Sequence, residues 1–178
     1  MILRILICLG LMTSSAFAAD WTLDPERSQL TFEGTQGGVG FQGSFAIFSA
    51  SISLDPENLA SASISVTIDT ASATSGSQER DGTLPSADWF DVAAHPEARF
   101  SSTSVTQTDN GYSAEGTLTI KGTAQITSLP FTLSIDGEEA HATGSLTIDR
   151  GDFGVGTGAL SPMVGAEVSI TFDIIATR

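Results

Sequence analysis

The chain has 178 residues, with 7 Lys and Arg against 21 Asp and Glu, for a formal net charge of −14. That length fits one domain with a real core. So few cations cannot displace the counterions of a nucleic acid, and so strong a negative charge resists static adhesion to anionic headgroups.

The first elements are a positive residue, Arg4, the apolar run Ile5–Met12 and the small-residue site Ala16-Phe17-Ala18. This is the pattern of a secretory signal peptide cut after Ala18 or Ala19, with an apolar run too short to span a bilayer. Residues 1–18 are expected to leave on export to the periplasm, and 19–178 to form the working domain. Cys8, the one cysteine, leaves with them, so the mature chain has no thiol chemistry and no disulfide. A lipoprotein reading of Cys8 fails because Ile7 is bulky and little apolar chain precedes it.

Beyond that point the ruling pattern is alternation with period two, which gives a strand one apolar and one wet face. A weak strand lies near Ser28–Gly34, and Phe41 and Phe45 belong to the second strand. Phe48, Ala50, Ile52 and Leu54 alternate with serines, and Asp55-Pro56-Glu57-Asn58 turns the chain into Ala62, Ile64, Val66 and Ile68. From Ser75 to Pro96 the rhythm breaks. Ser86–Phe90 is predicted as a short helix capped by Ser86, forming an insertion between the third and fourth strands. A weaker strand follows near Ala98–Thr106, then the tight-turn signal Asp109-Asn110-Gly111. Ala114–Ile120, Phe131–Ile135, Ala140–Ile148 and Ala166–Ile174 alternate cleanly, with Asp136-Gly137 as another turn and a glycine-rich irregular stretch at 151–165. About eight antiparallel strands with short links form a meander that closes into a barrel or, as the competing architecture, folds into a two-sheet sandwich.

The inward faces mix small residues (Ala50, Ala62, Ala114, Gly116, Ala140, Ala142, Gly144, Ala166) with phenylalanines such as Phe32, Phe48, Phe100, Phe131 and Phe172. An eight-stranded barrel is either just filled by side chains or holds one small ligand. Small inward residues leave volume for an apolar ligand; equally, they permit close packing against the insertion or tight coiling of the strands. Both outcomes stand at this level.

Chemistry-bearing groups are sparse. His95 and His141 are the two histidines and share no ligand spacing, so no metal is expected. No nucleophile elbow is present, and Gly151–Gly156 lacks the lysine and the strand-to-helix setting of a phosphate loop. Arg80, Asp81, Arg150 and Asp152 are the polar candidates. Either they meet an oxygen-bearing headgroup at a pocket mouth, or they form structural ion pairs at the barrel rim, the reading we favour.

Several segments together resemble the YceI-like family. Trp21-Thr22-Leu23-Asp24-Pro25-Glu26-Arg27-Ser28 is similar to its opening W-x-(I/L)-D-x-x-H-S, and Gly43–Phe48 to G-x-F-x-x-F. Arg80-Asp81-Gly82-Thr83-Leu84 with Asp88-Trp89-Phe90-Asp91, Pro96–Phe100, Gly116–Gly122 and Ile148-Asp149-Arg150-Gly151-Asp152-Phe153-Gly154 follow in the family's order. Two departures fall near a pocket mouth: glycines replace a usual histidine in 34–40, and Pro85 stands where a basic residue is usual.

The resemblance implies an all-β, eight-stranded antiparallel lipocalin-like barrel, and an exported protein that carries a long-chain isoprenoid lipid of the prenyl phosphate or quinone type. It implies no cofactor beyond that ligand and no established enzymatic role, with an enzyme acting on a lipid or small molecule inside the barrel as the alternative. Contact with a membrane or a membrane b-type cytochrome is a further expectation, and the loops leave a homodimer open. The expected pocket walls are Phe32, Phe41, Phe45, Phe48, Trp89, Phe90, Phe100, Leu118, Ile120, Phe131 and Phe153. Arg80, Asp81, Arg150 and Asp152 are expected at the mouth.

Overall fold

The computed structural model describes residues 19–178, so the expected signal segment 1–18 lies outside the described residues. The strands are β1 (Asp20–Leu23), β2 (Gln29–Gln36), β3 (Val39–Phe45), β4 (Phe48–Ser53), β5 (Ser63–Asp69), β6 (Ala73–Thr74), β7 (Glu97–Thr108), β8 (Gly111–Ile120), β9 (Thr123–Asp136), β10 (Glu139–Asp149) and β11 (Glu167–Thr177), with one helix, α1 (Gln78–Thr83). Three pairs, β1 with β2, β3 with β4 and β5 with β6, are single staves broken by a short irregularity. The sheet runs β1-β4-β5-β7-β8-β9-β10-β11 and returns to β1, all antiparallel. The result is a closed eight-stranded barrel rather than a sandwich.

The break in the first stave shows how side chains mend a ladder. Asp24 accepts from the Glu26 and Arg27 amides at 3.1 and 3.2 Å, turning the chain. Ser28 then takes the place of a backbone pair: its Oγ donates to the Ile175 carbonyl at 3.2 Å and accepts from the Ile175 amide at 2.9 Å. The last strand is thereby held to the first across the interruption, and every apolar face is forced toward one axis.

The expected helix at Ser86–Phe90 is not there. The helix forms earlier, over Gln78–Thr83, with Glu79 and Asp81 in its first turn, and Pro85, which has no N–H, stands just beyond its end. Ser86–Phe90 folds instead as tight turns: the Trp89 and Asp91 amides both donate to the Ser86 carbonyl at 2.9 Å, and Asp91 adopts a left-handed φ of 49° that no helix continues through. The insertion still lies between the third and fourth staves.

Two of the small inward residues are not voids. A Cβ on Gly144 would overlap the Phe172 ring and the Pro130 carbonyl oxygen, and one on Gly116 would overlap Phe100 and the Ser101 carbonyl. These glycines exist so that a neighbouring phenylalanine can lie flat across the strand. Gly43 does the same for Phe32. Ala114 is fully buried in the core, whereas Ala166 is exposed. Close packing therefore explains part of the small-residue pattern, and only part. Gly144→Ala is expected to destabilise the barrel by about 1–3 kcal/mol through forced backbone and ring displacement, read as a lower midpoint of urea unfolding. An unchanged midpoint would contradict this packing.

Candidate functional site

The core of the barrel contains a cavity. It offers about 150 Å³ to the centres of water-sized molecules, roughly ten times the space of about 10–15 Å³ that one water needs. Every lining side chain is apolar: the wall includes Trp21, Leu30, Ala50, Ala142, Leu146 and Ile170. Ile64, Val66, Leu129, Leu133 and Phe172 point inward yet are only half-buried, because they face that hollow rather than each other.

One end of the cavity is stopped by Trp21, whose Nε1 donates to the Leu54 carbonyl at 2.9 Å, with the Arg178 guanidinium 4.9 Å from the ring centre. The opposite end carries an aromatic cluster. Phe32 lies 5.2 Å from Phe45 and 6.4 Å from Phe41, and Phe45 lies 5.9 Å from Phe90. Beyond them a smaller pocket of about 30 Å³ lies among Gln36, Phe41, Arg80, Leu84, Trp89 and Leu160.

The residues expected as pocket walls thus separate into four places. Phe48, Phe100, Leu118 and Phe131 line the cavity. Phe32, Phe41, Phe45 and Phe90 form the aromatic end cluster, while Trp89 lies 5.8 Å from the Arg150 guanidinium. Ile120 and Phe153 are buried in the packed core without lining the cavity. Much of the wall that these choices omitted, such as Leu129, Leu146 and Ile174, is signalled by alternation alone, since it shares parity with the inward residues of β9, β10 and β11.

The four polar candidates do not converge. Arg150 is buried, and its guanidinium donates to five backbone carbonyls: Gly165 (2.8 Å), Val155 (2.8 Å), Gly156 (2.7 Å), Ser161 (3.0 Å) and Val164 (2.8 Å). It organises the glycine-rich segment 151–165 as a loop wrapped round a cation. This matches a guanidinium's five donors, which a lysine could not reproduce. Asp152 is exposed on the adjoining 3-10 turn. Arg80 spans Ser75 Oγ (3.0 Å) and Gln36 Oε1 (3.2 Å) and lies 4.5 Å from the Phe41 ring centre. Asp81 shares Ser75 with it, accepting from the Ser75 amide and hydroxyl, both at 2.7 Å, and from Thr74 Oγ1 at 2.9 Å. The ion-pair reading therefore gives way to hydrogen bonds between these side chains and the local backbone. His95 lies beside Gly122, and His141 bonds Asp173 on the outer wall at 2.8 Å. Among the described residues no cluster of His, Cys, Asp and Glu could hold a metal.

A closed antiparallel barrel with an apolar interior defines the class: a small lipocalin-like β-barrel with an apolar cavity. The match of residues 21–176 to the YceI-like domain shows that the chain belongs to that family. A UPF0312 protein of Pseudomonas putida F1 is 31% identical over 171 residues, covering 90% of this chain and 89% of that protein. Among solved structures, BcnA of Burkholderia cenocepacia is similar at 35% identity with a TM-score of 0.83, over 87% of this chain and 99% of that one. A structure from Saccharophagus degradans, described as a polyisoprenoid-binding domain, shares the fold at 18% identity with a TM-score of 0.70, over 91% of this chain and 99% of that one.

The hydrogen bonds from Ser75, with a smaller contribution from Thr74, hold the Asp81 carboxyl below its ordinary pKa of 3.8. A carboxylate depressed in the folded state adds stability that is complete above the unfolded pKa, about 3.9, and is lost as pH falls through the folded value. The stability gap between the wild type and Asp81→Asn is expected to shrink as pH falls from 5 toward 2, measured by urea unfolding. A gap independent of pH would contradict the role given to this carboxylate.

Proposed function

We propose that this protein is an exported, periplasmic carrier that holds a long-chain isoprenoid lipid, of prenyl phosphate or quinone type, in the barrel cavity. The observation that carries this reading is the cavity's uniform hydrocarbon lining. Water needs two to four polar partners, and the wall offers none, so the hollow is dry. Its lining side chains lack neighbours on one side and forfeit dispersion contacts that a flexible apolar chain restores. Each methylene so buried contributes roughly 0.8 kcal/mol before ordering entropy is deducted. The description of the Saccharophagus degradans domain as polyisoprenoid-binding supports the same ligand class.

Binding is favoured over catalysis because the cavity wall presents no acid, base or nucleophile. Arg150 and Asp81, the charged groups best placed to act, are occupied by backbone and hydroxyl partners. Export rests on the N-terminal pattern of Arg4, the apolar run and Ala16-Phe17-Ala18.

Native mass spectrometry of protein recovered from the periplasm, followed by organic extraction, is expected to yield a chain beginning near Ala19 with a prenyl lipid or quinone in stoichiometric amount. Ala142→Phe, which fills the hollow, is expected to weaken prenyl-lipid binding about tenfold or more while leaving thermal stability equal or higher. Full-strength binding by this variant would place the ligand elsewhere.

A further inference from the structure

The barrel wall has a fork in it. β8 and β9 pair along their whole facing lengths, Tyr112–Ile120 with Phe131–Thr123. β10 and β11 do the same, Glu139–Asp149 with Thr177–Glu167. Between these two hairpins, β9 and β10 pair only from Asp136/Glu139 down to Phe131/Gly144. Below that level the edge Thr123–Pro130 of β9 faces the edge Ser145–Asp149 of β10, and no ladder pair joins them. The fork begins at Pro130, which has no N–H to offer a partner strand, and where the Pro130 carbonyl crowds Gly144.

This cleft leads inward. Continuing the register of Phe131 with Gly144 sets Leu129 opposite Leu146, and both side chains line the cavity. Outside, Ile126 is 87% exposed on the β9 lip. The far end of the cleft is tied shut: Gln125 Nε2 donates to the Asp152 carbonyl at 3.3 Å, and Lys121 Nζ to the Gly154 carbonyl at 2.8 Å. Both barrel ends carry packed groups. One is stopped by hydrogen-bonded Trp21, the other by the aromatic cluster and the segment pinned by Arg150. Crossing between β8 and β9, or between β10 and β11, would break ladder hydrogen bonds and strand buried backbone groups. Crossing here breaks no ladder pair between the two edges and displaces the facing side chains of Leu129 and Leu146.

We propose that the cleft between Thr123–Pro130 and Ser145–Asp149 is the lateral portal by which an apolar chain passes into and out of the cavity. Leu129 and Leu146 form its inner gate and Ile126 its outer lip. The portal rests on the carrier reading above.

Residues 19–178 contain no native cysteine, so a pair introduced as Ser128→Cys and Thr147→Cys can be joined across the cleft by a short bis-maleimide. In a Trp89→Phe background, uptake of a short-chain prenylated benzoquinone is followed by stopped-flow quenching of Trp21, which lines the cavity. Linking is expected to slow uptake and release about tenfold or more, with the equilibrium affinity little changed, since only the barrier rises. The unlinked double variant, and a linked Ser145→Cys/Thr171→Cys pair across the bonded β10–β11 wall, are expected to keep the wild-type rate. Undiminished rates in the cleft-linked protein, with the quinone still bound, overturn the portal and leave the carrier reading intact. Failure of the wild type to take up the quinone overturns both.

Discussion

Closure of the sheet on itself governs everything else in this molecule. Once β11 is bonded to both halves of the first stave, by Thr22/Thr177 on β1 and by Ile170/Phe32 on β2, no apolar face can turn outward to a second sheet. Eight staves then fix the girth at the size where side chains either just fill the interior or leave room for one ligand. Residue volume, level by level, decides between them. Where glycine faces phenylalanine, as at Gly144 and Phe172, the ring lies across the strand and the space is used. Where alanine faces an aliphatic residue across the strands, as Ala50 faces Val66 and Ala142 faces Leu133, the space remains.

The segments that carry the family resemblance mostly fasten the barrel rather than line its hollow. Trp21, Asp24 and Ser28 stop one end and mend the first stave. Arg80 and Asp81 tie the insertion to Ser75 and Gln36, and Arg150 gathers the 151–165 loop. These groups work through directional hydrogen bonds, each of which specifies a residue type. The cavity wall asks only for hydrocarbon of suitable size, which many sequences supply. The departures from the family pattern, Pro85 and the glycines of 34–40, do not line the hollow.

The same distinction explains what could be read from the chain alone. Strand parity marks most inward residues, so the antiparallel meander and its apolar face were legible, as were the turns at 55–58, 109–111 and 136–137; the barrel, as against a sandwich, came with the family resemblance, and parity failed at Ala166, which is exposed. The helix was misplaced because α1 is six residues long and held by Arg80 and Asp81 reaching back to Ser75, contacts with no periodic trace. Choosing pocket walls by aromatic size selected Phe41, which packs on Phe32, and Phe45 and Phe90, which pack on each other, and passed over aliphatic residues such as Leu129 and Leu146 that border open space. Whether an inward small residue leaves a void depends on its cross-strand neighbour, and thus on register. The fork between β9 and β10 is likewise a property of register, with Pro130 its one visible mark.

All of this depends on the barrel axis being hollow and dry. Crystals of lipid-stripped protein held under xenon gas test that directly, because xenon enters empty apolar cavities and avoids polar or filled ones. Xenon is expected within the wall formed by Ala50, Leu129 and Ala142. An interior without xenon, occupied by ordered water or by the protein's own side chains, would contradict the account.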